Sequence, residues 1–343
     1  MDDVEIAIAG VRDFEALGRE WRALEERADP SFFQSWTWTG CLAAERFAAP
    51  VLVAARRAGQ VVGLGLCNAA GSAWSGPRLL LGESGDPARD SIYVEHNGLL
   101  IARGQPPMLA ATMLRALMST GGRFARRRRI GISGIDLATC HVLQAAGLAV
   151  RIRAARPAWV ADLARLRHDG VAYLDRRGVN TRRAIRRSDR SYGQEGPIRV
   201  TRAATLAEAR AYLDELAKLH QAYWMGRGRP GAFQEPFFTR FHQALIARGL
   251  PRDEIDLLRV ATPRGPIGLL YNFRHRGTVS YYQSGFDYAA GDPARKPGFT
   301  AQAAAIAAYA AAGLDAYDFL AGDAAYKRSL ADSYRVLAWV EVG

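Results

Sequence analysis

The chain has 343 residues, 49% apolar and 23% charged, which excludes a disordered or fibrous protein. That length suits two cores of roughly 150 to 170 residues each better than one. No apolar run reaches about 18 residues, and the opening MDDVEI is acidic where a signal peptide is basic, so the expectation is a cytoplasmic protein without stable membrane insertion. The three cysteines (Cys41, Cys67, Cys140) are scattered and no CxxC occurs, while the six histidines show no ligand spacing. A disulfide framework and a metal site are therefore both argued against.

In chain order, VRDFEALGREWRALEER (Val11 to Arg27) carries apolar residues at helical spacing. VLVAARRAGQVVGLGLCN (Val51 to Asn68) reads as strand, basic turn and strand, and LLLGESGD (Leu79 to Asp86) as a third strand of an antiparallel meander. PPMLAATMLRALMST is a helix, and RRRR (Arg126 to Arg129) precedes another strand as a solvated edge. The net charge of +12 is regional: residues 123 to 190 hold 17 Arg against five acids, and 17 minus 5 is the whole excess. That concentration predicts a positional purpose.

VNTRRAIRRSDRSYGQEGP (Val179 to Pro197) is expected to be a helix between the two halves. Wound at 100° per residue, it places Arg182, Arg183, Arg186, Arg187 and Arg190 within an arc of roughly 140°. Like-charge neighbours at i+3 and i+4 cost about 0.2 to 0.5 kcal/mol each, so an anionic partner would relieve the helix. A solvated surface is the alternative reading.

The second half then rhymes with the first. LAEARAYLDELAKLHQAYW (Leu206 to Trp224) is a helix, LLRVATPRGPIGLLYNF (Leu257 to Phe273) repeats the strand, basic turn and strand, and SYYQSGFD (Ser280 to Asp287) answers LLLGESGD at an offset of about 200 residues. GFTAQAAAIAAYAAAG follows as a helix stopped at Gly313, and YDFLAGDAAYKRSL (Tyr317 to Leu330) as a strand, a tight turn and a short helix. A duplicated α/β unit results: 1–160, an arginine-rich helix in 161–196, and 197–343.

That element order, with the stretches YLDRRGVNTRRAIRRSDRSYGQEG, LHQAYWMGRGRPGAF, SYYQSGFD, YDFLAGDAAYK and, more weakly, FFQSWTWTGCL, resembles the double-GNAT acyltransferases of the CelD/BcsL type, distant relatives of the Fem peptidyltransferases. The resemblance implies two tandem GNAT-like domains, each a mixed, mainly antiparallel sheet flanked by helices, with the donor cleft in the C-terminal half. It implies acyl-CoA, most simply acetyl-CoA, as co-substrate and an amine or hydroxyl acceptor such as a saccharide or cell-envelope precursor. A Fem-like aminoacyl-tRNA donor meeting the arginine helix is the alternative, and a non-catalytic binding module a third.

The donor's pyrophosphate would rest at the start of the helix after the meander, on Arg295, Lys296, Gly298, Phe299 and Thr300, with Thr300 departing from the small residue that the family's pattern places there. The first half offers two prolines at this point (Pro106 and Pro107), so the donor site is assigned to the second. Asp323 would cap the helix that carries Tyr326 and Lys327. By analogy with GNAT enzymes, Tyr326 would protonate the departing thiolate and Lys327 would stabilise the tetrahedral intermediate; plain capping, packing and snorkelling are the alternatives. His220 is a candidate general base, and Trp224, Tyr282, Gln283 and Asp287 are candidate substrate contacts.

Overall fold

The computed structural model describes residues 4–72, 76–120, 129–288 and 291–343. The chain divides into two units, Met1–Arg156 with Val336–Gly343, and Pro157–Arg335. The arginine-rich segment is thus part of the second unit, and the last strand returns to the first.

In the first unit β1 (Val4–Gly10) leads to α1 (Phe14–Glu25), whose first turn is fixed by Asp13 accepting the Ala16 N–H at 2.8 Å. Then come α2 (Trp36–Glu45), β2 (Pro50–Arg57), β3 (Gln60–Ser72), β4 (Gly76–Leu81), the short β5 (Leu100–Ile101), α3 (Met108–Ser119), β6 (Arg129–Asp136), α4 (Leu137–Ala145) and β7 (Val150–Asp162), at whose Arg156 the unit ends. Strands β1 to β4 run antiparallel in order and β6 joins β4 in parallel. A Cβ at Gly18 or Gly40 would come within 2.5 or 2.8 Å of the Trp36 ring, so glycine is what lets the indole lie against both α1 and α2. Of the RRRR run, Arg126 to Arg128 lie outside the described residues; Arg129 opens β6 and pairs with the buried Glu341.

The second unit continues with α5 (Leu163–Asp169), α6 (Val179–Gly193), β8 (Arg199–Arg202), α7 (Leu206–Met225), α8 (Pro236–Gly249), β9 (Ile255–Thr262), β10 (Gly265–His275), β11 (Thr278–Phe286), α9 (Pro297–Ala311), β12 (Ala316–Ala321), α10 (Ala325–Leu330) and the start of β13 (Ser333–Val342). Strands β8 to β11 are antiparallel neighbours, β12 joins β11 in parallel, and β7 joins β12 antiparallel. This repeats the first unit, where β13 pairs antiparallel with β6. Both units are therefore mixed, mainly antiparallel sheets flanked by helices, and the strand completing each sheet comes from the other half of the sequence.

Helix α7 starts at a reciprocal capping box between Thr205 and Glu208, and α9 is followed by Gly313 at φ +86°, one residue past the helix cap at Ala312. One face of the second sheet packs against α7 and α8: Tyr271, Phe273 and Tyr282 meet the ring of His242 or one another. The other face packs against α9, with Leu270, Val279, Tyr281, Tyr317 and Phe319 around Ile306 and Tyr309. A Cβ on Gly285 would lie 2.3 Å from the Leu216 carbonyl oxygen, so β11 admits α7 at this distance only with glycine there.

The fully buried His242 has its imidazole pushed down to about 3 by desolvation, from an ordinary 6.5. Between those values the unfolded chain binds the extra proton, so stability falls as pH drops from about 6.5. Urea unfolding at pH 7 and 5 should show a drop that is smaller in His242→Phe by about 1.4 kcal/mol per pH unit below the unfolded value.

Candidate functional site

Strands β11 and β12 pair in parallel only from Thr278↔Ala316 to Ser280↔Asp318. Beyond that point both continue, β11 to Phe286 and β12 to Ala321, without a shared register. The sheet therefore opens between them. Two irregularities accompany the parting: β11 carries an extra residue against β10 at Tyr282, and β12 breaks register with β7 between Asp318 and Ala321. Within the second break Leu320 takes φ +59°, uncommon for such a side chain, and its N–H donates to the buried Asp318 carboxylate at 2.7 Å.

Parting strands leave backbone groups without ladder partners, and side chains take them up. Lys327 donates its ammonium to the carbonyls of Leu320 at 3.2 Å and Ala321 at 2.8 Å. His220 has its Nδ1 3.0 Å from the Ser284 carbonyl while Nε2 accepts the Ala232 N–H at 3.2 Å, an arrangement that fixes the Nδ1–H tautomer. Desolvation lowers the His220 pKa, so the ring is neutral. With both nitrogens engaged by backbone, His220 is built to hold β11 rather than to accept a proton from an acceptor. Trp224 lies one turn on, with ring centroids 6.1 Å apart, as the i, i+4 spacing requires.

The opening gathers tyrosines from both faces of the sheet. The Tyr326 hydroxyl of α10 lies within electrostatic reach of Tyr281 of β11, whose hydroxyl pairs with Ser284. Tyr288 follows β11 and packs at a tilt on Tyr223 of α7, with ring centroids 4.9 Å apart, and Arg227 covers the Tyr223 ring at 3.7 Å. Desolvation of the phenol is the largest cause of the raised pKa at the buried Tyr281 and at Tyr288 and Tyr326, whose side chains stay partly exposed, with Tyr288 pushed to about 12 and Tyr326 further still. These phenols stay protonated across physiological pH and act as hydrogen-bond donors. Of the expected residues only Tyr326 stands among them; Tyr223 lies beside Trp224 in LHQAYW, and Tyr281 and Tyr288 lie in and just after SYYQSGFD, where nothing in the sequence singles them out.

The remaining expected residues are placed as follows. Asp323 does not cap α10: the cap position is Ala324, without a side-chain bond, because Arg328 one turn on holds the Asp323 carboxylate at 2.7 Å. Tyr282 faces α8 and packs on Phe273 at 4.7 Å, away from Tyr281, since neighbouring strand residues point to opposite faces. Gln283 accepts the Ser284 N–H at 3.0 Å through its side chain, and the Asp287 N–H donates to the Ile267 carbonyl at 3.0 Å, continuing the ladder.

Helix α9 starts beside the opening. Its cap, Lys296, makes no side-chain bond, Pro297 has no N–H, and the first intrahelical donor is Thr300, so the N–H groups of Gly298 and Phe299 have no acceptor within the helix. A Cβ on Gly298 would meet Phe286 at 3.4 Å and the Tyr288 hydroxyl at 3.6 Å, ordinary contacts that place this turn against the aromatic wall. Arg295 is committed to Glu195 at 2.6 Å and lies over the Tyr192 ring at 4.6 Å. Thr300 is buried, and its hydroxyl bridges to α6 through Ser188 at 2.8 Å and Asp189 at 2.7 Å. The hydroxyl thus docks two helices and is turned from the opening.

Helix α6 buries Ile185, Ser188 and Tyr192, a stripe at helical spacing, and turns its arginines outward. Arg186 pairs with Asp175 at 3.3 Å, while Arg182, Arg183, Arg187 and Arg190 make no ion pair among the described residues. Ser188 accepts the Lys296 N–H at 2.8 Å and Ser191 donates to Asp292 at 2.6 Å, so α6 runs past the start of α9, and Arg187 lies within electrostatic reach of Asp292. The cationic face and the free N–H groups thus adjoin.

Among the described residues no group of His, Cys, Asp and Glu could hold a metal ion, and no helix is long and apolar enough to cross a membrane. Residues 179–328 match the family model described as an acetyltransferase (GNAT) domain. The structure is similar to that of FemX, with a TM-score of 0.64 and 10% identity over 98% of this chain and 96% of that one. It is also similar to the C-terminal domain of a putative lysylphosphatidylglycerol synthetase from Agrobacterium fabrum, with a TM-score of 0.55 and 11% identity over 96% and 92%. A conserved protein of unknown function from Bacteroides thetaiotaomicron scores 0.59 at 10% identity over 98% and 99%. Curated protein sequences give no match. The second unit therefore contains a GNAT-like acetyltransferase domain, and at these identities the structural likenesses show its fold.

Thr300→Val should lower unfolding free energy by about 1 to 3 kcal/mol, because Ser188 and Asp189 lose a buried partner. Urea denaturation followed by fluorescence measures the difference.

Proposed function

We propose that the second unit transfers an acyl group from an acyl-CoA thioester to an amine or hydroxyl acceptor in the opening between β11 and β12. The observation that carries the reading is the adjacency of three features. The parted strands admit an extended chain, the uncapped N–H groups of Gly298 and Phe299 at the start of α9 face an anion, and the Tyr326 hydroxyl sits at the mouth. The donor's pyrophosphate would rest on the start of α9, with Lys296 and Arg187 supplying positive charge, and its pantetheine would replace the missing strand pairing.

The acceptor attacks the thioester carbonyl, a C–N or C–O bond forms, the C–S bond breaks, and the acceptor's proton ends on the departing sulfur. Tyr326, partly exposed but kept neutral by desolvation of its phenol and by the neighbouring phenols, donates a hydrogen bond where negative charge develops. Lys327 acts one step back: by tying down the Leu320 and Ala321 carbonyls it keeps the opening in shape. The half-buried Trp224 and exposed Tyr288 form an aromatic surface suited to the apolar face of a saccharide, the acceptor class that the CelD/BcsL-type resemblance implies. A cytoplasmic reaction follows from such a donor.

A second reading, an aminoacyl-tRNA donor as in Fem-like transfer, is favoured by the four α6 arginines that make no ion pair among the described residues, more cations than one CoA needs. The two separate by salt. Titration with acetyl-CoA, free CoA and aminoacyl-tRNA at about 50 and 300 mM salt should show CoA binding that persists and is lost in Gly298→Val, whose side chain covers the N–H groups. Binding of tRNA alone, abolished at high salt, would establish the second reading. Once an acceptor is found, Tyr326→Phe should lower kcat by about 100-fold with donor affinity retained, measured by steady-state kinetics and calorimetry.

A further inference from the structure

Helix α6 is anchored by Ile185, Ser188 and Tyr192, which are buried. Wound at about 100° per residue, its opposite side is centred on Val179, with Arg186 and Arg190 roughly 20° to either side and Arg183, Arg182 and Arg187 within about 80°. Val179 is 50% exposed, and Arg183, Arg186, Arg187 and Arg190 are exposed with it. One valine thus lies along the middle of a cationic face. Among the described residues the acid that pairs with this face is Asp175, 3.3 Å from Arg186, while Asp189 is turned inward and accepts the Thr300 hydroxyl. The face carries no aromatic ring, since Tyr192, the aromatic residue of α6, is on the buried side.

These properties narrow the partner. Like charges three and four residues apart repel one another, and a surface of opposite charge relieves them. A nucleic acid would meet the arginines through its phosphates, but this face has no ring on which an unpaired base could stack, and phosphates offer nothing to a valine set among the charges. An anionic bilayer answers both features: headgroups meet the guanidinium groups, and the valine and the arginine stems enter the boundary beneath them. We propose that α6 is a docking face for an anionic lipid surface, on which the helix lies with its axis parallel to the bilayer. Because α6 runs past the start of α9, docking holds that end of the opening at the headgroup layer. The inference is independent of which donor the opening takes.

The test is co-sedimentation of the full chain with vesicles of phosphatidylcholine alone and of phosphatidylcholine with about 30% phosphatidylglycerol, at about 50 and 300 mM salt. The protein should bind the anionic vesicles, ignore the neutral ones and bind less at high salt. Arg183→Gln should weaken binding about fivefold, and Arg183→Gln with Arg190→Gln about 20-fold, with melting temperature unchanged. The pair Arg210→Gln and Arg248→Gln removes the same charge from exposed positions on α7 and α8 and should leave binding within about twofold, which separates a docking face from net charge. Absence of binding to anionic vesicles would overturn the inference, as would equal losses in the two double variants. Binding of bulk tRNA without binding to vesicles would overturn it too, and assign the arginines to a nucleic acid.

Discussion

The second unit is organised by one constraint: two parallel neighbours, β11 and β12, stop pairing after three residues and keep going. Peptide groups that face the gap beyond that point need partners that the sheet no longer supplies, while β11 stays paired with β10 on its other side. Asp318 takes the Leu320 N–H, Lys327 takes the Leu320 and Ala321 carbonyls, and His220 takes the Ser284 carbonyl. Charged or ionisable side chains in a cleft attract catalytic interpretation, yet these three keep a gap open. Their chemistry serves the backbone, which is the condition for any chemistry on a ligand.

The gap also explains how groups from both faces of one sheet reach a common point. Along an intact strand Tyr281 and Tyr282 point to opposite layers, and nothing on α7 can meet a residue packed under α9. Where the strands part, Tyr223 from the α7 side, Tyr281 from the α9 side and Tyr326 from α10 come into electrostatic contact. Desolvation makes Tyr281 and Tyr326 worse acids and so dependable neutral donors. The site is accordingly poor in charge at its centre and rich in it at one end, where α6 brings its arginines past the start of α9.

Duplication extends further than three matched strand segments suggest. The two units share strand order and direction, and each sheet is completed by a strand from the other half, β7 in the second and β13 in the first. In the first unit the helix after the meander begins at two prolines, which offer no N–H, whereas α9 begins with one proline and then Gly298 and Phe299. The same architecture thus has an anion-accepting helix start in only one of its copies.

Period and punctuation in the sequence determined the elements: α1 and α7 follow apolar spacing, α3 and α9 are alanine-rich, the meanders follow alternation around basic turns, and Gly313 marks the end of α9 by its positive φ. These are local properties, fixed by residues a few positions apart. The sequence alone also singled out Tyr326 and the start of α9. Only tertiary structure decided what the polar candidates do, because hydrogen-bond partners lie far away in sequence: His220 meets Ser284, Thr300 meets Ser188, and Tyr317 meets Gln302. A side chain's type states what it can do, while its function depends on which unsatisfied group the fold brings within about 3 Å of it.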